Sequence, residues 1–198
     1  MAMKYGQKHL IVVVLICAIT GTVEGATLSG KVSVRNARDN ANAVVFIDKI
    51  PGKTFPPPRD PLPLDQRDLK FIPHVLPLLV GTKVAFPNSD VVRHHVFSPG
   101  PTQKFSLGTY RVGETKYLVF NSPGVVDLLC NIHAEMSAFV VVTETPYYAV
   151  TDAQGNYSIE NLPPGRYVVK VWHERNSKFS PREIEVVTGD LNLNFELK

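Results

Sequence analysis

The stretch "LLCNIHAEMSAF" at residues 128–139 sets a thiol, an imidazole and a thioether three residues apart, at Cys130, His133 and Met136. Thiolate and thioether sulfur are soft electron-pair donors, and imidazole suits a range of transition metals. A thiolate and an imidazole at this spacing in one loop can meet a single metal ion. A methionine three residues further on can approach the same ion weakly. A second imidazole has to come from elsewhere, and "NSDVVRHHVFS" offers His94 and His95 at the start of another apolar run. Two histidines, one cysteine and a distant methionine form the ligand set of a blue-copper electron-transfer site. Zinc on Cys130 and two histidines is the competing reading, but it leaves the thioether without a role. The plainest alternative is an ordinary buried thiol, the usual fate of a lone cysteine.

The distribution of sulfur favours a metal. The 198-residue chain has two cysteines and three methionines, and Met1, Met3 and Cys17 all fall in an N-terminal stretch of different character. Lys4 and Lys8 precede an apolar run from Leu10 to Ile19, and "TVEGA" follows with a cut expected before Ala26. This is the pattern of a secretory signal peptide over residues 1–25. Its apolar core is about half of the roughly 20 residues that a membrane span needs. Bulky Ile16 before Cys17 argues against a lipoprotein signal. The expected location is periplasmic or secreted, with no membrane span once the leader is cut. The mature chain then keeps one cysteine and one methionine, both in the quoted loop. A single cysteine forms no internal disulfide, and a free thiol in an exported protein is open to oxidation unless something occupies it.

Composition is that of an ordinary globular protein, 44% hydrophobic and 20% charged. A net charge of +3 without any Lys/Arg run argues against nucleic acid as a partner. The 13 glycines and 16 prolines punctuate short apolar runs, which favours many turns and short strands over long helices. The runs are "LSGKVSV" and "NAVVFID", then "FIPHVLPLLV", "KVAF", "HHVFS", "KYLVF", "GVVDLLC" and "AFVVVTE". Residues 51–66, with six prolines, read as a loop. In "GVVDLLC" a period of two puts Val126, Leu128 and Cys130 on one face, so the thiol points into a core. After Pro146 the chain stays β. "TDAQGNYS" sets Asp152 and Gly155 for a tight turn, and "LNLNFEL" puts Leu191, Leu193, Phe195 and Leu197 on one face.

From about Phe71 to Glu144 the chain resembles the cupredoxins, the plastocyanin and amicyanin family. "FIPHVLPLLVGTKVAFPNSD" is similar to that family's opening pattern, "HHVF" falls where the family has His-Asn-Val, and "CNIHAEM" matches the short loop of amicyanins. The whole mature chain resembles the plastocyanin-like methylamine-utilisation proteins of bacteria. The resemblance implies one copper per chain, with His94, Cys130 and His133 as equatorial ligands and Met136 as the axial one. His95 stands where the family usually has an asparagine that ties the two ligand loops. Either His95 takes that part with Asn131, or His95 is itself the ligand in place of His94. Neighbours in a strand face opposite ways, so only one of the two can face Cys130. His74 reads as a surface histidine and His173 as structural or exposed.

The tail, with "TDAQGNYSIENLPPGRYVVKVW", resembles the carboxypeptidase regulatory-like β-sandwich, and "LSGKVSVRNARDNANAVVFID" resembles that module's first two strands. The expected fold is therefore all-β, a cupredoxin Greek-key β-sandwich combined with a small carboxypeptidase-regulatory-like β-sandwich. The expected division is a copper domain at 26–145 and a β module at 146–198. Strands from 26–50 either belong to the former or complete the latter. The expected function is an exported mononuclear blue-copper protein that carries single electrons between transiently bound redox protein partners. Copper storage or delivery is the alternative, and a metal-free β-sandwich interaction module is the second alternative. An enzyme is not expected. The tail offers no acid–base pair, no activated nucleophile and no phosphate loop, and His74 and His173 do not supply the further ligands of a copper oxidase or nitrite reductase.

Overall fold

The computed structural model describes residues 25–176, 179, 181–187 and 189–198. The expected leader lies, but for Gly25, outside the described residues. All regular elements among the described residues are β-strands. The first are β1 (Ala26–Val34) and β2 (Val44–Ile47). There follow β3 (Leu62–Pro63), β4 (Asp65–Arg67), β5 (Lys70–Ile72), β6 (Val75–Leu79) and β7 (Lys83–Pro87). Next come β8 (His94–Ser98), β9 (Phe105–Tyr110), β10 (Thr115–Val119), β11 (Gly124–Cys130) and β12 (Ser137–Thr143). The last are β13 (Tyr148–Val150), β14 (Asn156–Leu162), β15 (Gly165–Trp172), β16 (Arg182–Val186), β17 (Leu191–Asn192) and β18 (Phe195–Leu197).

These strands build four main sheets, packed face to face. In the first, β1 pairs antiparallel with β14 and parallel with β17 and β18. The second has the order β13-β2-β15-β16, the third β6-β12-β11-β8-β9 and the fourth β10-β7-β3. The two-residue alternation of a strand decides which core each side chain joins. In β2, Val45 and Ile47 enter the core between the first and second sheets. Val44 and Phe46 point the other way, onto Val75, Val141 and Trp172. In β12, Ala138, Val140 and Val142 join Cys130 and Met136 in the core between the third and fourth sheets. Strands buried on both faces read as unbroken apolar runs, which accounts for "NAVVFID" and "AFVVVTE".

The hydrogen bonding is that of a split sandwich. β1 and β2 pair with β14, β13 and β15, and the strands from 62 to 143 are inserted between them. The first two strands thus share no sheet with the inserted strands. The Pro-rich segment ends in β3, which lies on a sheet edge where a missing N–H costs no ladder bond. β9 and β16 carry little sequence signal. β9 is only partly buried and contains Gly108 at φ 70°, and β16 is largely charged and exposed. "LNLNFEL" divides into β17 and β18, although Leu191, Leu193, Phe195 and Leu197 all still pack on the first core.

The turn at Asp152 shows why its residues are what they are. Asp152 Oδ1 accepts the N–H groups of Gln154 and Asn156, at 2.9 and 2.8 Å. Gly155 has φ 86°, and a Cβ there would lie 2.1 Å from the carbonyl oxygen of Val32. Only glycine lets β1 and the turn approach so closely, and the close approach serves a bond of 2.8 Å from Val32 N–H to the Gly155 carbonyl. Gly155→Ala is expected to lower the unfolding free energy by about 1–3 kcal/mol, read as a lower urea midpoint. An unchanged midpoint would mean that the turn relaxes freely.

Candidate metal centre

β11 lies between β12 and β8. Its last ladder pairs with β8 are Leu129 with Phe97 and Cys130 with Val96. Alternation sends Val126, Leu128 and Cys130 inward and leaves Asp127 exposed. Beyond Cys130 the chain turns tightly. Cys130 N–H donates to the Met136 carbonyl at 3.2 Å, and Met136 N–H to the His133 carbonyl at 3.1 Å. Asn131 N–H donates to the His95 carbonyl at 3.3 Å and ties this loop to β8.

Three electron-pair donors converge at this end of the sheet. Cys130 Sγ is 3.8 Å from His94 Nδ1 and 3.9 Å from His133 Nδ1. The two Nδ1 atoms are 3.2 Å apart. His94 is fully buried, Cys130 is buried and His133 is partly exposed. Among the described residues, these three form the one such cluster of histidine, cysteine and acidic side chains. Atoms bonded to one ion at about 2.0 Å from nitrogen and about 2.3 Å from sulfur are separated by distances of this size. Soft sulfur beside two imidazoles suits copper as well as zinc. Met136 is buried in the same apolar cluster as Cys130, Leu128 and Phe71, which adds a thioether to the surroundings.

The two adjacent histidines part company. His94 turns inward, while His95 is partly exposed and its Nε2 shares a 2.7 Å hydrogen bond with Ser106 Oγ on β9. The loops are joined by the backbone of His95, not by its side chain. His74 lies between the second and third sheets, with Nδ1 3.2 Å from the Ser137 carbonyl and Nε2 3.2 Å from Glu174 Oε2. His173 is buried, and its Nδ1 accepts the Arg175 N–H. Burial pulls the His173 pKa down, against weaker upward effects that include Glu174. Neither His74 nor His173 is part of the donor cluster.

Two residues of the site escape a reading of types and spacing. His94 Nε2 lies 3.0 Å from Asp90 Oδ2, and both side chains are buried. The same oxygen accepts Leu69 N–H at 2.8 Å, and Oδ1 accepts Val91 N–H at 2.7 Å. Burial pushes the Asp90 carboxyl up, but these N–H groups and the His94 ring outweigh it and hold it below the usual carboxylate range. Buried Asn88 folds the loop that follows β7. Its Oδ1 accepts Asp90 N–H at 3.1 Å and its Nδ2 donates to the Val92 carbonyl at 2.9 Å. The one hint in the sequence is "NSD" shortly before the histidine pair, and such residues fold local loops through their side chains.

His94→Ala is expected to abolish a thiolate-to-metal absorption band in Cu(II)-loaded protein, or to make it depend on added imidazole. His95→Asn is expected to keep the band. The reverse pattern, read by visible absorption, would make His95 the donor.

Residues 134–198 match the family model of the carboxypeptidase regulatory-like domain. No curated protein matches the chain. Among solved structures, the chain is similar to a purple cupredoxin from Nitrosopumilus maritimus, at 23% identity, over 41% of this chain and 99% of that one, with a TM-score of 0.39. It is similar to amicyanin from Paracoccus versutus at 22% identity, over 43% of this chain and 83% of that one, with a TM-score of 0.39. A copper-containing nitrite reductase from Thermus scotoductus SA-01 is 28% identical over 50% of this chain and 25% of that one, with a TM-score of 0.41. The chain is all-β, with the strands from 62 to 143 inserted between those of a second sandwich, and residues 134–198 match the carboxypeptidase regulatory-like domain.

Proposed function

We propose that this chain is an exported mononuclear blue-copper protein that carries single electrons between redox partners. One observation carries the reading: the Nδ1 atoms of two histidines and the Sγ of the mature chain's one cysteine face one another, 3.2 to 3.9 Å apart. His94, Cys130 and His133 would hold the metal, with Met136 a weaker fourth donor. Copper bound there would supply a one-electron couple. The chain's own contribution is rigidity and dryness. Cys130 ends a strand hydrogen-bonded on both sides, and His94 opens the neighbouring strand, so neither donor is free to follow a change of charge. The apolar cluster with Phe71, Leu128 and Met136 keeps water from the sulfur.

His133 gives the site a way out. Its ring is partly exposed, and Ile132 and Ala134 beside it are exposed apolar residues. Val91, on the loop before His94, is 88% exposed. Exposed apolar side chains around an edge of the site suit a small, short-lived contact, the kind that electron-transfer partners make. No helix among the described residues is long and apolar enough to cross a membrane.

Purified mature protein is expected to hold one copper per chain by metal analysis. Its oxidised form should show an intense visible thiolate-to-Cu(II) band that bleaches on reduction and returns on oxidation with copper retained. Zinc as the native metal, with Cu(II) giving no band, would overturn the copper reading. Ready loss of Cu(I) to an acceptor would mark a delivery protein instead.

Met136→Leu is expected to keep both copper and the band while shifting the redox potential, because a distant thioether bonds less than it tunes. Complete loss of copper from this variant, by metal analysis, would give Met136 a larger part than the fourth donor has here.

A further inference from the structure

Asp90 stands on the loop between β7 and β8, where its carboxylate is almost wholly buried. Both oxygens act as acceptors, Oδ1 for Val91 N–H at 2.7 Å and Oδ2 for Leu69 N–H at 2.8 Å and His94 Nε2 at 3.0 Å. A carboxyl group engaged in this way has no proton to give, so the bond to His94 is donated by the ring. A neutral imidazole carries one N–H. With that hydrogen on Nε2, the lone pair is on Nδ1, the atom that faces Cys130 Sγ and His133 Nδ1.

The same oxygen anchors a second element. Leu69 belongs to the turn joining β4 and β5, where Asp68 and Leu69 have φ of 53° and 57°. His94 cannot swing out of the site without leaving a buried carboxylate short of a partner, and Asp90 cannot follow without releasing that turn. A negative charge held at the far side of the ring also raises the electron density at Nδ1. This strengthens the ring as a donor and favours the more highly charged state of a bound metal.

We infer that Asp90 is a positioning residue: it fixes His94 in the Nε2–H tautomer, holds its Nδ1 toward Cys130, and lowers the potential of the site by favouring Cu(II) over Cu(I). The first two parts stand on the metal-free chain, and the third rests on the copper reading above.

The test has two arms. In metal-free wild-type protein labelled with 15N-histidine, long-range 1H–15N NMR should find His94 with its proton on Nε2, slow to exchange with solvent. A proton on Nδ1 would overturn the inference, whatever metal the protein binds. In copper-loaded Asp90→Asn, which keeps the side-chain shape and removes the charge, the preference for Cu(I) over Cu(II) should rise about tenfold, a potential higher by about 59 mV for one electron. An unchanged potential with the visible band intact would overturn the electronic part, because a purely structural role would lower the melting temperature and leave the potential alone. Should Asp90→Asn fail to fold, the NMR arm still decides the positioning role, and Asp90→Ser, which also removes the charge, takes the variant's place in the potential measurement with the same expected rise. A wild-type protein that shows no thiolate–copper band rejects the copper reading and the electronic part together, while the tautomer remains a separate result.

Discussion

Hydrogen bonding of β11 to β8 on one side and to β12 on the other is the constraint on which the rest depends. β8 begins with His94, β11 ends with Cys130, and Met136 directly precedes β12. His94, Cys130 and Met136 are therefore in a ladder or one residue from it, at the same end of one sheet. Fixing a residue's backbone costs about 1–2 kcal/mol of conformational entropy, and here that cost is met by sheet and core formation before any metal is considered. The seven-residue path from Cys130 to Met136 is closed by its own backbone bonds, so His133 is placed by the turn and not by the ligand it would hold.

The site was legible in proportion to how local it is. Cys130, His133 and Met136 declare themselves by type and spacing within one loop. His94 and His95 declare a second strand but not which ring turns inward. The structure separates them by burial, 0% exposure for His94 against a side chain on the surface that bonds Ser106. Asp90 was legible only as part of the loop signal "NSD", because its partners Leu69 and His94 lie on opposite sides of it in sequence and meet only when the β4–β5 turn packs against the loop after β7. Spacing in a sequence fixes distance along the chain, and in irregular loops it says nothing of direction.

The fold shows the same limit at larger scale. Alternation in "GVVDLLC" foretells an inward thiol, and the unbroken run in "AFVVVTE" comes from a strand covered on both faces. Which sheet "LSGKVSV" and "NAVVFID" join was open, since any sandwich accepts strands of that pattern. The answer came from distant partners, Ile159 for Leu28 and Val171 for Val45. β9 and β16 were faint because edge strands need little apolar pattern: solvent satisfies their outer side.

The insertion has a consequence for the order of assembly. A ribosome delivers the chain N-terminus first, and β1 and β2 then wait, unpaired, for strands that do not exist until residues 148–197 are made. The strands from 62 to 143 find their partners among themselves much sooner, across shorter closures of chain. The donor-bearing sandwich can thus mature while the two ends of the polypeptide are still apart, and the outer sandwich then closes over it like a clasp. A chain cut short before β13 would leave β1 and β2 without their partner strands, an adhesive edge in a protein whose centre is already complete.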